Sequence, residues 1–199
     1  CYVGPRVKVG EGTVLLPGTI LRGETVIGRD CEVGPNAMVR DCIVGKDTTI
    51  NASQVNESTI GSHTTVGPFT YVRPNCCIGD HCRVGDFVEV KNSVIGDGTK
   101  ISHLTYVGDS DVGQRVNFGC GTVTTNYDGH KKHRCTIGDD VFLGCNTNLI
   151  APVTVADRAY TAAGSTVTDD VPEGALAIAR QRQTNIRGWA DRLRKTWKK

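Results

Sequence analysis

The sequence predicts an all-β protein, a parallel β-helix wound as a triangular prism, and three observations carry that prediction. Aliphatic residues recur at steps of six, as from Val3 to Val9, Ile27 to Val33, Ile60 to Val66 and Ile78 to Val84, with occasional five-residue steps such as Val39 to Val44 and Val107 to Val112. Four residues after many of them stands a small one, among them Thr13, Thr19, Cys31, Ala37, Thr64, Cys82 and Thr147. The third observation is compositional: 199 residues include only four Phe, two Trp and one Met, which excludes a core built on large side chains.

Each six-residue step describes one flat side of the prism. The aliphatic points inward, the small residue fills the corner beside it, and an intervening Gly, Asn or Asp takes the turn. Three sides give a coil of about 18 residues, stacked roughly 4.8 Å from the next. From Val3 to Val167 that makes about nine coils and a prism on the order of 40 Å long. A β-sandwich would need alternating hairpin signals and would not keep so long a register. The 24 glycines do not recur every third residue, so collagen is excluded. Periodicity alone does not fix the hand of the coil.

Charge and cysteine usage narrow the function. The net charge is +2, and from Arg180 to Lys199 eight Lys or Arg stand against one acid, so the prism (1–179) precedes a basic tail (180–199) and offers no general field for a polyanion. Trp189 and Trp197 amid that charge are too little for a nucleic-acid module. No apolar run reaches the ~18 residues of a membrane span. The nine cysteines are an odd number without paired C-x-x-C spacing, which fits free thiols in a reducing cytoplasm better than disulfides or a metal. The chain begins in mid-pattern at Cys1, and the expectation is a fragment.

The repeat breaks most strongly at TTNYDGHKKHRC, 124–135, which predicts a loop projecting from one edge. Register arithmetic gathers unusual side chains around it. Arg73 and Lys91 follow Val72 and Val90 and lie one coil apart, so two cations share an edge and invite a phosphate or carboxylate. Glu89 aligns with Tyr106, and His103 with Cys120, across shortened coils. His103 is the best candidate general base, with Glu89 to orient it. Neither a G-x-S-x-G elbow nor a phosphate-binding glycine loop is present.

VRPN, DFVEVKNSVIGDGTK, HLTYVGD, VNFGCGTVTTNYDGHKKH, IAPVTV and TAAGSTVTDDVPEGALAIAR together resemble the C-terminal acetyltransferase domain of the bacterial bifunctional N-acetylglucosamine-1-phosphate uridyltransferase and glucosamine-1-phosphate N-acetyltransferase family, within the hexapeptide-repeat acyltransferases. The resemblance implies a left-handed coil, and acetyl transfer from acetyl-CoA to the 2-amino group of glucosamine-1-phosphate for UDP-N-acetylglucosamine, peptidoglycan and lipopolysaccharide precursors. It implies a cytoplasmic homotrimer with sites shared between subunits, and neither nucleic-acid binding nor membrane insertion. No metal is implied for this half. Mg2+ belongs to a uridyltransferase half expected before Cys1.

By motif, His103 matches the family's general base and Glu89 its supporting carboxylate. Arg73, Lys91 and Lys132 match phosphate-binding positions, and Tyr106, Asn117 and Asn126 those that orient the sugar. Cys120, Asn126, Tyr127, Cys145, Ala163 and Arg180 fall at acetyl-CoA positions. The family often carries Ala at the place of Cys120 and Ser at that of Cys145. The rival expectations are another hexapeptide acyltransferase with a different acceptor and a noncatalytic β-helix scaffold.

Overall fold

The computed structural model describes residues 1–197; the last two residues of the predicted basic tail, Lys198 and Lys199, lie outside the described residues. Its strands form three parallel sheets of ten, nine and ten strands, wound as a solenoid of about ten turns, the arrangement of a left-handed β-helix. The ten-stranded face from Tyr2–Val3 to Thr166–Val167 holds one strand more than the nine coils expected from spacing, since nine intervals are bounded by ten strands. Some turns are also short. Val39 faces Val55, 16 residues on (55 − 39), and Val90 faces Val107, 17 on (107 − 90).

The inward column is Val, Ile and Leu, with Leu21, Val33, Ile50, Val72, Val90 and Leu149 fully buried. Corners are filled by small hydroxyl and thiol side chains because each corner leaves a carbonyl and an amide N–H to satisfy. Thr64 Oγ1 donates to the Gly79 carbonyl at 2.9 Å and accepts from the Cys82 N–H at 3.0 Å; one turn later Cys82 Sγ donates to the Gly96 carbonyl at 3.2 Å. Cysteine thus takes threonine's place in the corner ladder. Cys31, Cys42, Cys76, Cys82 and Cys135 are buried free thiols.

The turn residue at most corners adopts positive φ. Asp and Asn hold many of these places, but Phe69 (φ 58°), Phe87 (φ 57°) and Leu104 (φ 43°) hold three successive ones, where such side chains are uncommon. They stay exposed, and the rings of Phe69 and Phe87 stack with centroids 5.5 Å apart. The chain closes with Leu176–Ala177 pairing onto Tyr160–Thr161. Beyond it an exposed segment leads to a short helix, Trp189–Thr196, that buries no residue.

Candidate active site

The strands Arg83–Asp86 and Lys100–His103 run in register with Asp86 opposite His103. The column continues along one prism edge. Ile101 faces Phe118, Phe118 faces Leu143 and Leu143 faces Thr161, so the residues two further on, His103, Cys120, Cys145 and Ala163, succeed one another turn by turn. Arg180 lies against Gly164 beside Ala163. His103 and four of the expected coenzyme positions therefore form one track, about 4.8 Å per step.

His103 is exposed, and its Nδ1 lies 2.8 Å from Asp86 Oδ1. The Asp86 carboxyl is held below the usual carboxylate range by a backbone hydrogen bond and by His103. Within the chain the carboxylate in contact with His103 is Asp86, whereas Glu89 stands opposite Tyr106 on another face and accepts from Arg73 Nη1 at 2.9 Å. Asp86 precedes His103 by the same 17 residues that relate Glu89 to Tyr106 (103 − 86, 106 − 89), a signal present in the sequence.

Arg73 and Lys91 do share an edge, but the repulsion expected between them is already relieved. Glu89 hydrogen-bonds Arg73 and raises its pKa. Lys91 Nζ donates to Asp109 at 3.1 Å, with only 17% and 6% of the two side chains exposed. Burial pulls the Lys91 ammonium down, and the Asp109 carboxylate more than restores it. Asp109 is pushed up by burial, yet Asn92, Lys91 and Asn126 donate to it and hold it below the usual range. Lys132 has no carboxylate partner among the described residues, and its pKa is lowered first by contact with Lys91. Arg73, Lys91, Asn92, Asp109 and Lys132 line a surface depression of about 380 Å³.

The loop that brings Lys132 there is shorter than 124–135. Thr124 and Thr125 remain in strand Val123–Thr125, and Cys135 begins strand Cys135–Ile137. Between them Tyr127 and Lys132 form an antiparallel bridge. Asp128 accepts from the N–H groups of His130 and Lys131 at 2.7 Å each and contacts His133 Nε2 at 2.7 Å, which holds its carboxyl far below the usual range. Asn126 is buried at the loop's root and donates to the Tyr106 hydroxyl at 3.3 Å and to Asp109. Gly108 makes that contact possible: a Cβ there would stand 2.3 Å from the Tyr106 hydroxyl.

The structure thus joins Arg73, Glu89, Lys91, Tyr106, Asn126 and Lys132 in one cluster, and His103, Cys120, Cys145, Ala163 and Arg180 along one edge. Asn117 stands in register between Lys100 and Phe142, apart from the cluster's hydrogen bonds, and Tyr127 is exposed on the loop. Sequence reasoning missed Asp86, Asn92 and Asp109. Among the described residues no three His, Cys, Asp or Glu converge as a metal site, and no helix is long and apolar enough to cross a membrane.

The model of the bacterial transferase hexapeptide (six repeats) matches residues 57–92 and 134–169. Three curated relatives are named bifunctional protein GlmU. The one from Caldanaerobacter subterraneus subsp. tengcongensis is 53% identical over 190 residues, that from Clostridium beijerinckii 54% over 191, and that from a Geobacillus species 55% over 192. Each alignment covers 96% of this chain and 42% of the relative, so the chain spans less than half the length of the curated relatives it matches.

Proposed function

We propose, from the premise that this chain carries the hexapeptide repeat of bacterial transferases and aligns over nearly its whole length with part of GlmU, that it is a glucosamine-1-phosphate N-acetyltransferase domain using acetyl-CoA. The observation that carries the reading is that one prism holds both a carboxylate-anchored histidine, at the end of the strand Lys100–His103, and a cation-lined depression at the far ends of the next face's strands. The product feeds UDP-N-acetylglucosamine and the cell-wall precursors made from it, in the cytoplasm. A uridyltransferase activity, with its Mg2+, belongs to the longer relatives' remaining length.

With Nδ1 turned to Asp86, the imidazole presents Nε2 as a proton acceptor. Nε2 takes a proton from the 2-amino group as that nitrogen attacks the thioester carbonyl, and coenzyme A leaves as its thiolate. Lys132, Lys91 and Arg73 receive the sugar phosphate, Lys132 as the cation not already matched. Tyr106, Asn117 and Asn126 orient the sugar. The edge from Cys120 through Cys145 and Ala163 to Arg180 accommodates the extended coenzyme with Tyr127 and Asn126 of the loop, and the backbone N–H of Cys120 meets the developing oxyanion. Glu89 acts through Arg73. A convex edge excludes little water by itself, which supports a homotrimer whose neighbouring copy closes each site.

The test is direct. Acetyl-CoA and glucosamine-1-phosphate should yield free coenzyme A and N-acetylated sugar phosphate, whereas serine and nucleotide-sugar acceptors should not. Turnover of one of those acceptors in place of glucosamine-1-phosphate assigns a different acyltransferase, and no acetyl-CoA binding at all returns the chain to a scaffold.

A further inference from the structure

Cys120 and Cys145 form a pair that the acetyl-transfer chemistry does not use. Phe118 faces Leu143, the Gly119 N–H donates to the Leu143 carbonyl at 2.8 Å, and the Asn146 N–H donates to the Cys120 carbonyl at 2.8 Å. Backbone hydrogen bonds on both sides therefore hold the two cysteines opposite one another on adjacent turns. Opposed positions on neighbouring strands lie about 4.8 Å apart, inside the roughly 4.4–6.8 Å Cα separation that a disulfide spans. Both thiols are reachable, Cys145 exposed and Cys120 half-buried.

The other seven cysteines lack this combination. Five are buried, and burial pushes their thiols up, Cys42 and Cys135 to about 11, which suppresses the reactive thiolate. Exposed Cys77 faces Thr59 and Val94, and exposed Cys1 precedes Tyr2, whose opposite residue is Ile20. Only at 120 and 145 do two accessible cysteines stand opposite one another across a turn.

We propose that Cys120 and Cys145 are a dithiol site that undergoes exchange with small disulfides and prefers the disulfide of coenzyme A. That preference rests on the coenzyme track proposed above. The Cys145 thiol gives its proton to solvent, and its thiolate attacks one sulfur of the coenzyme disulfide. A protein–coenzyme S–S bond forms, the coenzyme S–S bond breaks, and one coenzyme A thiolate leaves. The Cys120 thiolate then attacks the Cys145 sulfur of the mixed disulfide, forming the Cys120–Cys145 bond and releasing the second coenzyme A thiolate. The two thiolates recover the two protons. The cysteine pair is oxidised by two electrons and the coenzyme disulfide reduced by the same two.

The reduced protein is challenged separately with coenzyme A disulfide and with 2-hydroxyethyl disulfide, and the products are mapped by mass spectrometry. A Cys120–Cys145 cross-link is expected with both, forming at least about tenfold faster with the coenzyme disulfide at micromolar concentration because binding raises its local concentration. Cys120→Ala should stop at a stable coenzyme adduct on Cys145. Stable adducts on the wild-type pair, or no cross-link with either reagent, overturn the dithiol. Equal rates with the two reagents overturn the coenzyme preference. Mapping does not depend on acetyl transfer, so a chain that cross-links but transfers no acetyl group leaves the dithiol standing and removes the proposed function.

Discussion

Asp86 and His103 sit opposite one another on neighbouring strands, with 2.8 Å between carboxylate Oδ1 and imidazole Nδ1. The contact fixes the ring from behind, so the two residues should fail differently. His103→Ala should fold normally and lose roughly 100-fold or more in kcat, the usual range for a positioned base. Asp86→Asn should lower kcat by roughly tenfold or more with little change in KM for either substrate, since it loosens the base without removing it. Steady-state kinetics check both, and a folded His103→Ala protein with near-normal turnover removes the base assignment.

Lys132 is the cation without a carboxylate, so Lys132→Ala should mainly raise KM for glucosamine-1-phosphate and leave unphosphorylated glucosamine little affected. The loss expected for one charge-assisted contact is about 1.5–3 kcal/mol, or roughly 10- to 150-fold. Equal use of the two acceptors by the wild-type protein contradicts a phosphate site.

Lys91→Ala should also cost stability, because it removes one of three donors from buried Asp109 while Asn92 and Asn126 remain. A loss on the order of 1–3 kcal/mol is expected in denaturant unfolding. Lys91→Ala combined with Asp109→Asn should recover part of it, since no buried carboxylate is then left short of a donor.

The loop should resist acid further than an ordinary carboxylate allows. Asp128 is depressed in the folded state, so its contribution is complete above the unfolded carboxylate value of about 4 and is lost only as pH falls towards its lower folded value. The amide resonances of His130 and Lys131 should therefore keep their native positions through pH ~4 and move below it. Asp128→Asn should abolish that titration. Movement centred near pH 4 in the unsubstituted protein contradicts the depressed carboxyl.

If the site is shared between subunits, mixing His103→Ala protomers with protomers inactivated at a residue donated from a different chain should restore part of the activity, since some interfaces hold one intact set. Sedimentation with activity measured on the same fraction provides the check. A fully active monomer removes the shared site.

The prism was legible in the sequence because its core needs only one inward residue per six, and a six-residue rhythm survives wide variation elsewhere. The same arithmetic aligned Glu89 with Tyr106 and set Arg73 beside Lys91. It could not decide which carboxylate reaches which cation. Glu89 and Asp86 are three residues apart, and the corner between them sends one to Arg73 and the other to His103. Asp109 escaped notice for a related reason: it is a turn residue in the repeat (φ 49°), and only the stacking of turns shows that it closes on Lys91. Loop length was overestimated because Thr124 and Thr125 depart from the repeat in composition while keeping its hydrogen bonds.

Strand pairing resumes undisturbed after the loop: Thr124 faces Leu149 and Ser110 faces Cys135, each 25 residues on (149 − 124, 135 − 110). A corner can therefore swallow an insertion of this size while the strands on either side keep their partners. Ring closure penalises length only slowly, by about 0.6 kcal/mol for each doubling. The prism acts as a chassis with sockets at its corners, where new chemistry can be tried without renegotiating the core. The segment between Thr125 and Cys135 fills one such socket, and extensions at its exposed Gly129 tip should be tolerated where equal insertions within Val123–Thr125 are not.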